Sequence, residues 1–355
     1  MPQWSIPHGR YTPYPLPAIP DCISWEVGSV NDKAVTLLEQ YDIEVLRTRK
    51  GRGAILCETA QGILIFKEYA GNEERLALEN RLLQQIAEQG TVRVDALLPT
   101  REGALFVKDK DGISYILKTY YEGRECNIFD RSECLTAMQL LAKLHNSMEA
   151  EGEAEAVKLR TPLQEYEKRN RELTRIRSFL HKKGQKLPFE RQLNSAMDAY
   201  LEQARQVTED WREYEERLSC KQNGQLCFHG DYQYHNIILY ENEWYVVNFE
   251  KCQRGSQVSD IYLLMRKLLE KSSWSVSLGR ELLEAYRQIR PISAYDYIDL
   301  YYRLAYPEKF WKIANFYYNS RKAWIPERNM EKLDKVLEQE AARQTFLEEV
   351  FRPEL

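Results

Sequence analysis

The hydrophobic pattern of this 355-residue chain changes period at Tyr121-Glu122-Gly123, and that change limits the folds open to it. Before it, from Ile43 to Tyr69, short β-branched and aromatic runs are broken at Gly51-Arg52-Gly53 and Gln61-Gly62, which predicts hairpins. Ala104 to Val107 and Ile113 to Tyr121 flank the turn Lys110-Asp111-Gly112 and predict a further hairpin. Between them, Asn72 to Gln89 carries Leu76, Leu83 and Ile86 at helical spacing and stops at Gly90, a C-cap residue. After the change, helical periodicity dominates. Leu135, Met138, Leu141 and Leu144 mark one helix, and Thr161 to Leu218 reads as two or three more. Strand signals return only at Asn236 to Tyr240 and Trp244 to Phe249, and no internal repeat is visible.

A chain this long exceeds what one hydrophobic core usually holds, so the pattern predicts an α+β architecture with two lobes around a cleft. Residues 1–21 form a proline-rich arm, 22–122 a small antiparallel β lobe with one helix, and 123–355 a larger, mainly helical lobe. Net charge is only −4, which excludes the basic footprint of a general nucleic-acid binder. Apolar stretches such as Ile261 to Met265 fall far short of the roughly 20 residues of a membrane helix. Met1 to Pro20 lacks a basic start followed by an apolar run, so cytosolic synthesis is expected. Seven cysteines with no C-x-x-C pair predict reduced, structural thiols. Cys227, His229 and His235 are zinc-ligand types in a short span, but no fourth ligand sits at a suitable spacing.

The segment Phe228 to Lys251, FHGDYQYHNIILYENEWYVVNFEK, carries the chemistry. Phosphoryl transfer needs a carboxylate to orient the acceptor hydroxyl and oxygen ligands to hold magnesium against the phosphates. In kinases a catalytic aspartate precedes a metal-binding asparagine by five positions, the spacing of Asp231 and Asn236. A hairpin then leads to the place of a second metal-binding aspartate, where this chain has Asn248. The plainer alternative is a His-Gly-Asp turn with Asn236 as a local cap.

A kinase also needs a strand lysine for the phosphates, steadied by a helix glutamate. In Gly62 to Lys67, alternation places Lys67 on the face of Ile63 and Ile65, an awkward position for an unpaired charge. Glu79 interrupts the apolar stripe of Leu76 and Leu83 and is the expected partner. Alternatively Lys67 snorkels to water from a strand end. Glu73 and Glu74 fall in the first helical turn, where acids simply suit the dipole. Arg47 to Gly53, RTRKGRG, would be the loop over the phosphates, though a basic hairpin turn looks the same.

Together these pieces resemble the aminoglycoside phosphotransferase and choline kinase superfamily, whose loop reads H-G-D-x-x-x-x-N. Here that is His229-Gly230-Asp231 and Asn236; Leu141 to His145 and Val258-Ser259-Asp260 also match it, His145 and Asp260 as scaffold. Within the superfamily the chain is similar to the spore-coat CotS family. The similarity rests on Tyr121 to Cys126, Asn248 to Cys252, Leu264 to Lys271 and Tyr306 to Lys312. The resemblance implies a bilobal protein-kinase-like fold and association with the spore coat. It also implies adenine held by the backbone of Leu117, Lys118, Thr119, Tyr120 and Tyr121. ATP or another nucleoside triphosphate would meet Lys67 and Glu79, magnesium would sit on Asn236 and Asn248, and Asp231 would be the catalytic base. Asn248 in place of a carboxylate weakens that metal site, because magnesium prefers charged oxygens; Glu250, two residues on, is a carboxylate within reach. Three readings follow: a degenerate phosphotransferase that binds nucleotide, an active ATP-dependent enzyme phosphorylating a hydroxyl, or a kinase-folded protein with unrelated ligand chemistry in its cleft. The partner is a small-molecule acceptor or the spore-coat proteins, and the sequence does not name the acceptor.

Overall fold

The computed structural model describes residues 36–51, 53–148, 161–218, 226–320 and 327–351. The proline-rich arm expected at 1–21, and Arg52 in the basic hairpin turn, lie outside the described residues. The first sheet is antiparallel, built from β1 (Val45–Gly51), β2 (Ala54–Thr59), β3 (Gly62–Glu68), β5 (Leu97–Leu98), β6 (Val107–Lys108) and β7 (Ser114–Thr119). The strands run β1-β2-β3-β7-β5, with β6 on the β7 edge. Register sets Lys67 opposite Ile116 and Ile65 opposite Lys118. Directly paired residues share a face. One face therefore buries Leu64, Phe66 and Leu117 against Leu38 and Tyr41, and the other carries Ile65, Lys67, Ile116 and Lys118 towards the helix.

That helix, α1 (Glu73–Gln89), begins at Asn72, whose side chain accepts from the Arg75 N–H. It stops at Gly90, where φ of 64° brings its N–H onto the Ile86 and Ala87 carbonyls. The stripe Leu76, Leu82, Leu83 and Ile86 is buried, and so is Glu79 within it. The Lys110-Asp111-Gly112 turn also forms as expected, with Gly112 at φ 80° and the Asp109 carboxylate accepting from the N–H groups of Asp111 and Ile113.

A second sheet ties the two parts of the chain together. Its order is β4 (Arg93–Val94), β11 (Glu243–Val246), β10 (Ile237–Tyr240) and β8 (Arg124–Glu125). β4 comes from the first lobe and pairs parallel with β11, Val94 against Val246. The β10–β11 hairpin turns at Glu241-Asn242, both with positive φ, so the end of β11 emerges beneath α1 and the first sheet.

The described residues beyond Glu125 are otherwise mainly helical: α2 (Arg131–Asn146), α3 (Pro162–Lys182), α4 (Pro188–Leu218), α5 (Val258–Lys271), α6 (Val276–Arg287), α7 (Ala294–Ala305), α8 (Glu308–Asn319), α9 (Glu327–Glu338) and α10 (Glu340–Phe351). Thr161 to Leu218 is thus two helices, the first entered through a Thr161–Gln164 capping box. One core runs from α1 through α2 and the catalytic hairpin to α5, α6, α7 and α10. A second, centred on Tyr166, Leu173, Trp211 and Phe310, joins α3 and α4 to α8 and α9. Most of the aromatics near residue 300 thereby serve packing.

His145 and Asp260 act as scaffold. His145 is fully buried, with Nδ1 2.8 Å from the Tyr286 hydroxyl and Nε2 3.3 Å from Asp260 Oδ2. Burial lowers its pKa, with Asp260 opposing, and His229 is lowered for the same leading reason. A base whose folded pKa is depressed binds fewer protons than the unfolded chain, so stability is lost as pH falls below about 6.5. The melting temperature is therefore expected to drop between about pH 7.5 and 5.5, and less steeply in His145→Gln; an unchanged slope in that variant would remove His145 as a cause.

Candidate functional site

The loop between β9 (Cys227–Phe228) and β10 is held by one carboxylate. Asp260, at the start of α5, accepts from the backbone N–H of His229 (2.6 Å) and of Gly230 (2.9 Å). His229 is buried and neutral: Nε2 donates to the Val247 carbonyl at 3.0 Å, which leaves Nδ1 to accept from the Asp231 N–H at 3.1 Å. Gly230 is required where it stands. Its φ is 80°, and a Cβ there would lie 2.1 Å from the Lys251 carbonyl oxygen. These contacts leave the Asp231 carboxylate at the surface of the cleft, 24% exposed.

Lys67, Asn248, Asn236 and Asp231 meet in a chain of hydrogen bonds across that cleft. Lys67 Nζ donates to Asn248 Oδ1 at 3.1 Å, Asn248 Nδ2 donates to Asn236 Oδ1 at 2.8 Å, and Asn236 Nδ2 donates to the Asp231 carbonyl at 2.8 Å. The orientation of both carboxamides is forced, because an ammonium can only donate and a backbone carbonyl can only accept. Asn248 itself has φ 67° and ψ 57°, a left-handed conformation that asparagine and aspartate tolerate better than other non-glycine residues.

The expected Lys67–Glu79 pair does not form. Glu79 Oε1 accepts from Lys118 Nζ at 2.7 Å, and Asp95 Oδ2 lies 2.8 Å from the same nitrogen. Lys67, at the strand end, instead pairs with the Glu250 carboxylate. Lys118, opposite Ile65 on the neighbouring strand, is the lysine enclosed over α1. Its side chain is 1% exposed. Burial disfavours its charge, but Asp95 and Glu79 more than compensate and raise its pKa. Glu79 is itself raised, by burial against the pull of Lys118. Asp95 Oδ2 also accepts the backbone N–H of Asn248 at 3.0 Å, so this buried cluster fixes the end of β11.

The segment expected to meet a nucleotide base is also largely occupied. Thr119 N–H donates to the Ala96 carbonyl and Tyr120 N–H to the Ile63 carbonyl, both at 2.9 Å. Leu117 packs in the outer core, Lys118 is turned inward, and Tyr121 lies with its ring centroid 4.0 Å from that of Tyr245. At the far side Arg49 Nη2 meets Glu122 at 2.5 Å, joining β1 to the connection between the lobes.

Glu250, expected within reach of a metal, instead faces Lys67, and Lys251, for which the sequence predicts no role, also enters the site. Lys251 Nζ donates to Asp231 Oδ2 at 2.8 Å, and Gln233 donates to Asp231 Oδ1. Burial opposes the ionised form of Asp231, but Lys251 and Gln233 hold its pKa below the ordinary value. Two carboxamides bonded to each other, and two carboxylates each bonded to a lysine, make a poor donor set for magnesium, which wants several free, hard oxygens in octahedral array. The residues present do not fit that ion, and Glu250 faces Lys67 rather than the asparagines. The zinc alternative also lapses: among the described residues no group of three His, Cys, Asp or Glu could hold a metal. Cys227 is buried, and His235 turns outward to Glu125 at 2.7 Å.

Removing the cation bonded to both Glu79 and Asp95 strands two buried carboxylates. Lys118→Met is expected to cost about 3–5 kcal/mol in chemical denaturation. Lys67→Met, whose partners reach solvent, should cost about 1 kcal/mol or less. The opposite ranking would return the Glu79 pairing to Lys67.

The fold recurs among known proteins. The chain shares its fold with an aminoglycoside phosphotransferase from Alicyclobacillus acidocaldarius, with TM-score 0.76, 17% identity, and 93% of this chain and 98% of that one covered. Spectinomycin phosphotransferase APH(9)-Ia, solved with ADP and spectinomycin, superposes with TM-score 0.62 at 13% identity over 91% of this chain and all of the other. Spore coat protein S of Bacillus subtilis (strain 168) is 22% identical over 315 residues, 86% of this chain and 88% of the relative. The profile of the family described as "Spore coat putative kinase YutH" matches residues 34–350. The chain therefore belongs to that spore-coat family, built on the aminoglycoside phosphotransferase fold.

Proposed function

We propose that this protein is a spore-coat component that binds a nucleoside phosphate in its kinase-like cleft and has lost metal-assisted phosphoryl transfer. The observation that carries this reading is the run of hydrogen bonds from Lys67 through Asn248 and Asn236 to Asp231. Where a carboxylate at 248 would need a cation beside Asn236, the Asn248 amide supplies an N–H and closes the gap without one. Lys67 projects from β3 onto Asn248 and Glu250 in the cleft, a cation that supports affinity for an anion. Family membership supports synthesis in the cytosol followed by assembly into the coat. Among the described residues no helix is long and apolar enough to cross a membrane.

A second reading keeps the activity, as an ATP-dependent phosphotransferase acting on a hydroxyl of a small molecule. It is favoured by the intact support of the His229-Gly230-Asp231 loop, whose base is ionised and partly exposed. Under that reading Asp231→Ala abolishes turnover and spares nucleotide affinity.

A nucleotide that binds the folded state at about a hundred times its Kd should raise stability by about 2.7 kcal/mol, read as a shift in melting temperature. We expect such a shift for the wild type with little dependence on magnesium. Asn248→Asp, which the left-handed backbone admits, should make the shift magnesium-dependent. No shift with any nucleoside phosphate would end the binding reading. Turnover in a phosphoacceptor screen that disappears in Asp231→Ala would replace it with the active enzyme.

A further inference from the structure

Directly after Asn248 the chain makes a single 3-10 turn, 249–251, and both ends of that turn are anchored. Phe249 is buried with its ring centroid 4.4 Å from that of His229. Cys252 is buried too, and its N–H donates to the Phe249 carbonyl at 2.8 Å. The Lys251 carbonyl lies against Gly230, so closely that no other residue fits there. Between these anchors the side chains of Glu250 and Lys251 project into the cleft with opposite charges. Glu250 takes the ammonium of Lys67, and Lys251 takes the carboxylate of Asp231. Each site residue thus has its counter-charge supplied by this one turn.

This arrangement explains how the site stays charge-balanced with an amide at 248 in place of a metal-binding carboxylate, and it also shows which groups a ligand would engage. A phosphate reaching Lys67 competes with Glu250, an anion of the same kind. Lys251 is 63% exposed along its side chain, so its ammonium is free to turn from Asp231 to a phosphate oxygen without breaking a buried contact. We propose that the 249–251 turn is part of the ligand site, with Lys251 a second phosphate-binding cation beside Lys67, so that the cleft takes a nucleoside polyphosphate without a divalent metal. This rests on the nucleotide-binding reading above. Lys251 then supplies, as a fixed cation, the neutralisation that the Asn248 amide no longer secures through magnesium. Glu250 is the anion that the phosphate displaces from Lys67.

The test is a titration of the full chain with a fluorescent ATP analogue, in excess EDTA and in millimolar magnesium, for wild type, Lys251→Gln and Glu250→Gln. Wild type should bind with similar Kd in both conditions. Lys251→Gln should weaken binding about tenfold in both, the scale of one charged hydrogen bond, and Glu250→Gln should tighten it about threefold by removing the competitor. Both side chains reach solvent, so thermal melts of the variants should match wild type. An unchanged Kd in Lys251→Gln overturns this proposal and leaves the nucleotide reading standing, whereas binding that requires magnesium overturns this proposal and the metal-free form of that reading, leaving only nucleotide binding itself. Absence of binding in either condition overturns both.

Discussion

The Asp95 carboxylate is the contact on which the geometry of the cleft depends. One of its oxygens takes both the buried Lys118 ammonium and the backbone N–H of Asn248. Lys118 is in turn bonded to Glu79 on α1. A strand of the first sheet, its helix, and the end of β11 are therefore clamped at one point. The parallel pairing of β4 with β11 brings Asp95 to that point, since Val94 is the residue matched to Val246. Burying two carboxylates against one ammonium is costly unless their geometry is held by the surrounding fold. Here α1 holds it through an apolar stripe that packs into the largest core.

With the end of β11 fixed, the identity of the residue at 248 decides the electrostatics beyond it. A carboxylate there, facing the Asn236 carbonyl oxygen, would set acceptor against acceptor and call for a cation between them. The carboxamide is both acceptor and donor, so the same backbone position becomes self-sufficient. Beyond it, Lys67 pairs with Glu250 and Asp231 with Lys251. The amide at 248 thus accounts for the Asn248–Asn236 contact, and the loop held by Asp260 keeps its own bonds beside it.

Much of this was legible in the sequence. The Gly90 cap of α1 and the Lys110-Asp111-Gly112 turn depend on local chemistry, and both took the form expected of them. Lys67, Asn236, Asn248 and Asp231 do converge, as their spacing required. The pairing of Lys67 with Glu79 was mistaken because it considered one strand alone. Lys118 is as much a charge inside an apolar strand, Ser114 to Thr119, and the same demand for a partner would have singled it out. What no local pattern contained was the register of β3 against β7, which decides which lysine sits over the helix. Asp95, in a two-residue gap between very short strands, carries no sequence signal of its role. Lys251 looks like an ordinary solvated charge, and Glu250 like a spare carboxylate for the metal, until the turn that aims them is known.

The account stands on the claim that Asn236 and Asn248 bind each other and not a metal. Its most direct test is a crystal structure of the full chain grown with a non-hydrolysable nucleotide and manganese, inspected by anomalous scattering. The account predicts the two carboxamides still hydrogen-bonded and no anomalous peak between them. A peak at about 2.1 Å from both side-chain oxygens would contradict it and restore a metal to the site.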